Sequence, residues 1–274
     1  MVIHQGQTVM LAKDILPAKP KDCGTGNASP RARLFRFAPR PNVAMRTLAS
    51  CRLRNWAVKP GWEGVWQMNI AVLGFKGGVG KTTTAVHLAL YLQQKQGAAP
   101  TGGSGMALLI DADPNRSASR WAERGPSFPI NVLAADPTTP TPTGFQHTVI
   151  DTPARPTSEQ LHALAQRCDL LLLPCSPDAL ALDALMLTAK ALDRLGAKHY
   201  KVLLTLVPPW PNRDGAEARN FLKQVGIPLC HHSIRRTVAF QRAALEGVCV
   251  HEIPEPRAKQ AWSDYVAVGE EISS

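Results

Sequence analysis

The sequence lacks long apolar runs and closely spaced cysteines. No stretch approaches the roughly 18 to 20 uninterrupted apolar residues that a helix needs to span a bilayer, so we predict no transmembrane helix. The six cysteines form no Cys-x-x-Cys pair and have no histidine at zinc-finger spacing, which argues against a zinc-finger site. Because no secretory signal is recognisable either, we expect a cytoplasmic protein with reduced thiols, and Cys168, Cys175 and Cys249 buried in apolar runs.

Acidic residues are scarce in the first quarter of the chain. The 274 residues carry a net charge of +10. Residues 1–67 hold 11 Lys and Arg against 3 Asp and Glu, whereas residues 68–274 hold 20 against 18. The positive charge therefore belongs mainly to the N-terminal segment. Nucleic-acid binding by the rest of the chain would need a local basic patch.

Residues 1–67 also contain six prolines and show neither helical nor strand periodicity, so we expect no compact fold there. Three interpretations fit this segment: a disordered basic tail, an arginine-rich targeting peptide, and translated sequence upstream of a true start at Met68. We favour the third, because Met68 directly precedes the first convincing strand. We therefore predict a globular domain over residues 68–274.

From Met68 onwards, short apolar runs alternate with segments of helical periodicity. We predict strands at residues 70–73, 107–110, 148–150, 170–173 and 202–207, with shorter candidates at 130–133 and 227–229. Helices are predicted at residues 81–94, 117–123, 158–166, 179–195, 216–225 and 238–245. This alternation predicts an α/β fold, with a mostly parallel twisted sheet, helices on both faces, and ligands at the carboxyl ends of the strands.

A glycine-rich turn separates the first predicted strand from the first predicted helix. Its sequence is Lys76-Gly77-Gly78-Val79-Gly80-Lys81-Thr82-Thr83. In this context the glycines let successive N–H groups converge on phosphate oxygens at the positive end of the helix. Lys81 is then placed to contact the β- and γ-phosphates, and the Thr82 hydroxyl to bind Mg²⁺. The general phosphate-loop pattern has glycine where this sequence has Phe75, and Lys76 is an additional lysine.

Acidic residues close two other predicted strands. Asp111 and Asp113 end the strand at 107–110, and Asp151 ends the strand at 148–150. Phosphoryl transfer requires Mg²⁺, neutralising cations and a group that orients the attacking water. Three carboxylates behind a phosphate loop fit the metal and water roles. Their spacing does not decide whether Asp113 or Asp151 takes the water role.

The loop with its extra lysine resembles the deviant Walker A motif of the ParA/MinD ATPases. Residues 108–115, Leu-Leu-Ile-Asp-Ala-Asp-Pro-Asn, are similar to the second acidic motif of that family, which usually has Gln where Asn115 stands. Residues 149–154, Val-Ile-Asp-Thr-Pro-Ala, are similar to its Walker B strand end. With weaker similarity at residues 176–177 and 256–257, the resemblance covers about residues 68–265.

The resemblance implies an ATPase that hydrolyses ATP with Mg²⁺ and dimerises face to face when ATP is bound. Asp113 would orient the attacking water, Asp151 would hold the Mg²⁺ shell, and Asp111 would support the metal. Lys76 would reach the nucleotide of the partner subunit, like an arginine finger supplied in trans. The catalytic residues would then be Lys76, Lys81 and Asp113.

Two further contacts are implied by the same resemblance. The Asn-Lys-x-Asp motif that GTPases of this fold usually carry is absent, so we expect ATP, with the turn at Pro208 and Pro209 as the candidate adenine contact. ParA-like members bind non-specific DNA when loaded with ATP and release it when a partner protein stimulates hydrolysis. The candidate DNA contacts are Arg235, Arg236 and Arg242, with Arg257 and Lys259 further along the chain.

A MinD-like, membrane-associated switch is the competing interpretation. MinD ends in a basic amphipathic helix, whereas residues 263–274 contain Asp264, Glu270 and Glu271 and no Lys or Arg, which disfavours membrane binding. An iron–sulfur relative would need suitably paired cysteines. We therefore expect a nucleoid-associated partitioning ATPase that acts with a ParB-like or other cargo adaptor. A plasmid, a chromosome region and a protein assembly all remain as cargoes.

Overall fold

A computed structural model describes residues 67–95 and 106–274 of the chain. The expectations for residues 1–67 concern a segment that, apart from Gln67, lies outside the described residues. Seven strands are assigned: β1 (Met68–Gly74), β2 (Ala107–Asp111), β3 (Asn131–Ala134), β4 (His147–Ala154), β5 (Leu170–Cys175), β6 (Tyr200–Val207) and β7 (Leu229–Arg235). The helices are α1 (Lys81–Lys95), α2 (Ser117–Arg124), α3 (Ser158–Arg167), α4 (Ala179–Arg194), α5 (Asp214–Gln224), α6 (Ala239–Glu246) and α7 (Pro256–Ile272), and a 3₁₀ turn at Val250–Glu252 precedes α7.

The strands form one sheet in the order β3-β2-β4-β1-β5-β6-β7, and all neighbouring strands are parallel. In β4, Asp151 is level with Val72 of β1 and with Asp111 of β2. The carboxyl ends of three adjacent strands therefore bring the glycine-rich loop and both acidic strand ends to one edge of the sheet. The predicted α/β fold with a parallel sheet is confirmed.

Helices cover both faces of this sheet. On β1, Ile70 and Val72 belong to the apolar cluster that contains side chains of α1, α2, α6 and α7. Ala71 and Leu73 belong to the opposite cluster, with side chains of α3, α4 and α5. Because the inner strands β1, β2 and β5 are buried on both faces, they are largely continuous apolar runs rather than alternating ones, which is the pattern that identified them in the sequence.

The cysteines in the apolar runs are buried, as predicted. Cys168, Cys175 and Cys249, together with Cys230, are free and buried within the described residues. Burial raises the pKa of each of these thiols to about 12. They therefore behave as small apolar side chains, and none is activated as a nucleophile.

The last strand and the last helix differ from the sequence prediction. The strand predicted at 227–229 begins at Leu229 instead and continues to Arg235, through polar residues that conceal its pattern. No helix was predicted over α7, which contains Pro256 and Gly269. Pro256 stands in the first turn, where a missing N–H does no harm. A Cβ at Gly269 would lie 2.4 Å from the Tyr91 ring, so only glycine lets α7 approach α1 this closely.

The acidic side chains of α7 bind the outer strand of the sheet. Glu271 accepts hydrogen bonds from the backbone N–H groups of His231 and His232, at 2.9 and 3.1 Å. Asp264 accepts one from the N–H group of Arg235 at 3.1 Å. Because β7 is the last of the described strands, its outer edge would otherwise be open to pairing with another chain. The carboxylates that argued against a membrane helix thus protect the sheet edge.

A buried histidine, His87, links α1 to the C-terminal segment. Its Nε2 accepts a hydrogen bond from the Val250 N–H at 3.2 Å, and its Nδ1 lies 2.7 Å from the Thr83 carbonyl oxygen. With Nε2 accepting, Nδ1 carries the proton and donates, so the ring is neutral. The ring stacks on Tyr265 with 4.9 Å between centroids, and the Tyr265 hydroxyl lies 3.1 Å from Thr84 Oγ1. Burial lowers the pKa of His87 to about 4.

We expect His87 to make the folded state less stable as the pH falls from 6.5 to 4. The unfolded chain takes up a proton with the ordinary histidine pKa near 6.5, whereas the folded chain resists protonation down to about pH 4. The unfolded state binds more protons in this window, so the free energy of unfolding decreases as the pH is lowered. The stabilisation is fully present above pH 6.5 and amounts to about 3 kcal/mol. Urea unfolding at a series of pH values measures it.

The matched variant is His87→Gln, which keeps a donor and an acceptor but does not titrate. It should give a shallower dependence of unfolding free energy on pH than the wild type. A residual slope will remain from other groups, including His147, whose pKa burial also lowers to about 4. Identical slopes for wild type and variant would contradict the contribution of His87.

Candidate functional site

The glycine-rich loop leaves β1 and enters α1 at Lys81. Gly78 and Gly80 have φ angles of 77° and 84°, which residues with a side chain rarely adopt. A Cβ at Gly77 or Gly78 would meet no atom within 4 Å, so the space beside the backbone is open there. Both properties are those of a loop whose N–H groups approach a phosphate directly.

Lys81 is held in the first turn of α1 with only 8% of its surface exposed. Its Nζ donates to the Lys76 carbonyl oxygen at 3.2 Å, across the loop. Burial lowers the pKa of Lys81, despite the opposing effect of the nearby Asp151 and Asp113 carboxylates. The structure therefore brings together the predicted phosphate-binding lysine and carboxylates from both acidic strand ends.

Asp111 and Asp151 offer oxygen atoms for a divalent cation. Both side chains are buried, and Asp111 Oδ1 and Asp151 Oδ2 have no hydrogen-bond partner among the described residues. Burial raises the pKa of Asp151 to about 7, a shift that a hydrogen bond from the Thr82 side chain only partly opposes. Two neighbouring buried carboxylates are costly unless a cation neutralises them. The residues therefore fit Mg²⁺.

Asp111 is fixed by its second oxygen. Its Oδ2 accepts hydrogen bonds from Ser119 N at 2.8 Å and Ser119 Oγ at 2.7 Å, in the first turn of α2. This leaves Oδ1 alone to face a cation. The described residues contain no group of three or more His, Cys, Asp or Glu placed to hold a metal ion. A phosphate-loop site does not need one, because Mg²⁺ takes most of its ligands there from water and phosphate.

Asp113 follows β2 in a tight turn. Its Oδ1 accepts a hydrogen bond from Asn115 N at 2.8 Å, and its carbonyl oxygen accepts one from Arg116 N at 2.9 Å. Asp113 is partly exposed, whereas Asp151 is 1% exposed. A group that orients water must be reachable by water, and a metal ligand is shielded. The difference in burial therefore favours Asp113 for the water role, which the sequence spacing left undecided.

Lys76 forms an ion pair within its own chain. Its Nζ donates to Asp178 Oδ1 at 2.8 Å. Asp178 stands directly before α4, where Oδ1 also accepts from Ala181 N at 2.9 Å and Oδ2 accepts from Ser176 Oγ at 2.5 Å. Sequence reasoning did not single out Asp178. The Ser-Pro-Asp segment before a helix predicts a helix cap, but nothing in it predicts a lysine partner.

Two other residues hold the loop in place through contacts that the sequence did not predict. Thr205, buried in β6, donates from Oγ1 to the Val79 carbonyl oxygen at 2.8 Å. Its signal in the sequence is a single hydroxyl within an apolar strand. Phe75 packs in the apolar cluster under α4, and its N–H donates to Thr188 Oγ1 at 3.3 Å. Phe75 thus anchors the loop to α4 at the position where the general pattern has glycine.

A cavity of about 320 Å³ lies between the carboxyl ends of β6 and β7. It is lined by Val207, Pro208, Pro209, Ser233, Arg235, Arg236, Thr237, Arg257, Gln260 and Asp264. The hydrogen bond from Thr205 to Val79 joins β6 to the phosphate loop, so the cavity lies further along the same edge of the sheet. The predicted adenine contacts, Pro208 and Pro209, therefore share one cavity with three of the candidate DNA contacts, Arg235, Arg236 and Arg257.

Two of the predicted DNA contacts are engaged within the chain. Arg235 donates from Nε and Nη2 to Asp264 at 2.7 Å each, and from Nη1 to Gln260 at 2.9 Å. Arg242 pairs with Glu255. These carboxylates compensate both positive charges, so the basic patch is weaker than the sequence suggested. Paired guanidinium groups contribute less to binding DNA phosphates than unpaired ones.

The other basic side chains of this region are exposed. They are Arg236, Arg257 and Lys259. The Arg236 N–H donates to the Val207 carbonyl oxygen at 2.8 Å, which fixes the backbone of Arg236 beside β6 while its side chain remains accessible. None of the helices in residues 67–95 and 106–274 has the length and apolar character needed to cross a bilayer.

Comparison with known proteins gives the same family that the motifs suggest. Residues 70–250 match the family described as the CobQ/CobB/MinD/ParA nucleotide binding domain. The chain is also 40% identical, over 210 residues, to "Maintenance of carboxysome distribution protein A" of Gloeobacter kilaueensis. That alignment covers 74% of this chain and 93% of the relative.

Solved structures share the fold. The ATP complex of McdA from Cyanothece superposes with a TM-score of 0.57 at 17% identity, over 76% of this chain and 97% of that one. The septum site-determining protein MinD with Mg-ADP, from Pyrococcus horikoshii, superposes with a TM-score of 0.55 at 18% identity, over 76% and 96%. At these identities the likeness concerns the fold alone.

Proposed function

Since the chain belongs to the CobQ/CobB/MinD/ParA nucleotide-binding family, we propose that it is a positioning ATPase that binds ATP with Mg²⁺ and dimerises on ATP. Residues 68–274 would form the ATPase unit. One observation carries this proposal. The open glycine loop, the buried Lys81 ammonium group and two unpartnered carboxylate oxygens lie together at the carboxyl edge of one parallel sheet. That combination of charges fits a magnesium–triphosphate.

The groups of the site would have separate roles in hydrolysis. The loop N–H groups and Lys81 would bind the phosphates, and Asp113 would orient the attacking water. Thr82, Asp111 and Asp151 would hold Mg²⁺, which when bound neutralises charge on the phosphate oxygens. Burial of Asp111, Asp151 and Lys81 lowers the effective dielectric constant around them, so their electrostatic interactions with the phosphates and Mg²⁺ would be stronger.

The base would occupy the cavity between β6 and β7. With the phosphates in the loop, a nucleotide extending along the carboxyl edge would reach this cavity past Thr205. Pro208 and Pro209 would form the apolar wall against adenine. Arg235, which is paired with Asp264, also lines this cavity. We therefore assign it to the cavity wall rather than to DNA binding.

A large protein assembly is the proposed cargo. The support is the 40% identity to a relative named for maintaining carboxysome distribution, which the chain matches over nearly the whole length of that relative. A ParA-like ATPase bound to non-specific DNA would move such an assembly through an adaptor protein that stimulates hydrolysis. The adaptor is a separate protein, and the identity of the cargo depends on it.

We expect Arg236 to contribute to DNA binding more than Arg235 or Arg242, because its side chain is exposed and the other two are paired. Arg236→Ala should weaken binding to duplexes of any sequence by a similar factor. It should also reduce the slope of log affinity against log salt by about one per protomer. Fluorescence anisotropy with ATP and Mg²⁺, at several salt concentrations, measures both quantities. The matched control is Arg194→Ala. Arg194 is an exposed arginine at the end of α4, which covers the opposite face of the sheet from α6 and α7.

The decisive experiment measures ATP hydrolysis by the full chain under four conditions. These are no addition, duplex DNA of arbitrary sequence, anionic lipid vesicles, and DNA with the product of the neighbouring gene. Stimulation that requires DNA and the neighbouring protein supports the positioning function. Stimulation by vesicles instead would favour the MinD-like alternative, and the absence of any hydrolysis would refute the proposal.

A further inference from the structure

Lys76, which forms an ion pair with Asp178, is the lysine that the family resemblance assigns to the nucleotide of the partner subunit. Nζ of Lys76 lies 2.8 Å from Asp178 Oδ1, and the two residues are 102 positions apart in the sequence. Their side chains are 32% and 50% exposed, so the pair lies at the surface and beside the phosphate loop. An ammonium group held there within its own chain is not at the same time in contact with the nucleotide of a partner subunit.

Asp178 is well fixed as an acceptor. Three donors converge on its carboxylate: Lys76 Nζ and Ala181 N on Oδ1, and Ser176 Oγ on Oδ2. Partial burial alone would raise the pKa of Asp178, but these hydrogen bonds hold it below its usual value. The carboxylate therefore has two separable properties. Its oxygen caps α4, and its negative charge attracts Lys76.

We propose that Asp178 is a positioning residue that retains Lys76 within its own protomer and thereby opposes ATP-dependent dimerisation until nucleotide and partner together outcompete the ion pair. The inference rests on the proposed role of Lys76 in trans. Each protomer must break one Lys76–Asp178 pair to deliver its lysine. The pair thus opposes dimer formation, and Asp178 lies before α4, outside the phosphate loop that contains Lys76.

The size of the effect follows from the exposure of the pair. Partly exposed ion pairs contribute a factor of up to about five to an equilibrium. Because a dimer breaks two of them, removing the pair should lower the dimer dissociation constant by up to about 25-fold. The melting temperature of the monomer should change little, provided that the helix cap is kept.

The test variant is Asp178→Asn, because asparagine caps a helix as well as aspartate does but carries no charge. Sedimentation of the full chain with Mg²⁺ and a non-hydrolysable ATP analogue gives the dimer dissociation constant. We expect tighter dimerisation in this variant. Asp183→Asn, an exposed aspartate on the same helix, removes an equal charge and should behave like the wild type. A dimer as weak as the wild type, or weaker, in Asp178→Asn would overturn the proposal.

A double-mutant cycle separates this inference from the function on which it rests. In a Lys76→Ala background, Asp178→Asn should have no effect on dimerisation, because the lysine that it releases is gone. An equal gain in both backgrounds would show that Asp178 acts through another group and would overturn the positioning role. If Lys76→Ala alone leaves dimerisation unchanged, the trans role of Lys76 fails. If Lys76→Ala weakens the dimer but Asp178→Asn does not tighten it, only the inference about Asp178 fails.

Discussion

Lys76→Ala should strongly weaken ATP-dependent dimerisation and lower the rate of ATP hydrolysis by about 10³-fold or more, the range found for cations supplied in trans to a transferring phosphoryl group. The physical reason is that Lys81 already lies in the phosphate loop of its own protomer, buried and within 3.2 Å of the Lys76 carbonyl oxygen. A second ammonium group is redundant there unless it serves another nucleotide. ATP binding by the monomer should persist, because the loop N–H groups and Lys81 are untouched.

Three measurements check this expectation. Sedimentation with and without ATP reports dimerisation, phosphate release reports turnover, and calorimetry reports nucleotide affinity. Lys190→Ala, an exposed lysine on α4, is the matched control for loss of one surface charge and should behave like the wild type. Lys81→Ala should differ from Lys76→Ala by losing nucleotide binding itself. Normal dimerisation and hydrolysis in Lys76→Ala would refute the trans role.

Asp113→Ala should leave nucleotide binding intact and lower turnover by about 10²- to 10⁴-fold, the usual contribution of a positioned group acting on a nucleophile. Asp113 follows β2 at the same edge as the loop, near enough to Lys81 to oppose the burial that lowers the pKa of that lysine, and it is more exposed than Asp151. It is therefore available to a water molecule next to the phosphates. Single-turnover hydrolysis and calorimetry with ATP and Mg²⁺ separate the two effects.

Asp113→Asn is the sharper variant, because an amide oxygen can still accept the hydrogen bond that Asn115 N donates at 2.8 Å. The turn is then preserved while the charge is lost. We expect turnover to fall nearly as far as in Asp113→Ala. Asp151→Asn should instead weaken Mg²⁺ binding, so that turnover requires a higher Mg²⁺ concentration. If turnover survives in both Asp113 variants, the water role belongs to another residue.

Much of the candidate site could be predicted because parallel strands end at one edge. The loop after β1 and the acids after β2 and β4 are distant in the sequence. Once all three strands are parallel, their carboxyl ends must meet. The order of the motifs therefore predicted that Lys81, Asp113 and Asp151 lie close together. Residue types limited the chemistry further, since oxygen ligands beside a phosphate loop favour Mg²⁺.

Other features depended on packing between distant elements and left no periodic signal. Helix α7 starts with proline and contains a glycine, and its fit against Tyr91 is visible only when α1 is in place. The predicted DNA contact Arg235 became part of a cavity wall because Asp264 of α7 binds its guanidinium group. Local sequence gave no reason to connect residues on β7 with residues on the last helix.

The sequence by itself determined the alternation of strands and helices, the phosphate loop, and the two acidic strand ends, because each of these is a local pattern of a few adjacent residues. Only the tertiary structure decided which acid is buried and which is exposed, which arginines are paired, and where Lys76 rests. Those properties depend on contacts between residues that are often tens to more than a hundred positions apart, such as Lys76 with Asp178. Charge and burial at such contacts are set by packing, and no single segment of the chain encodes them.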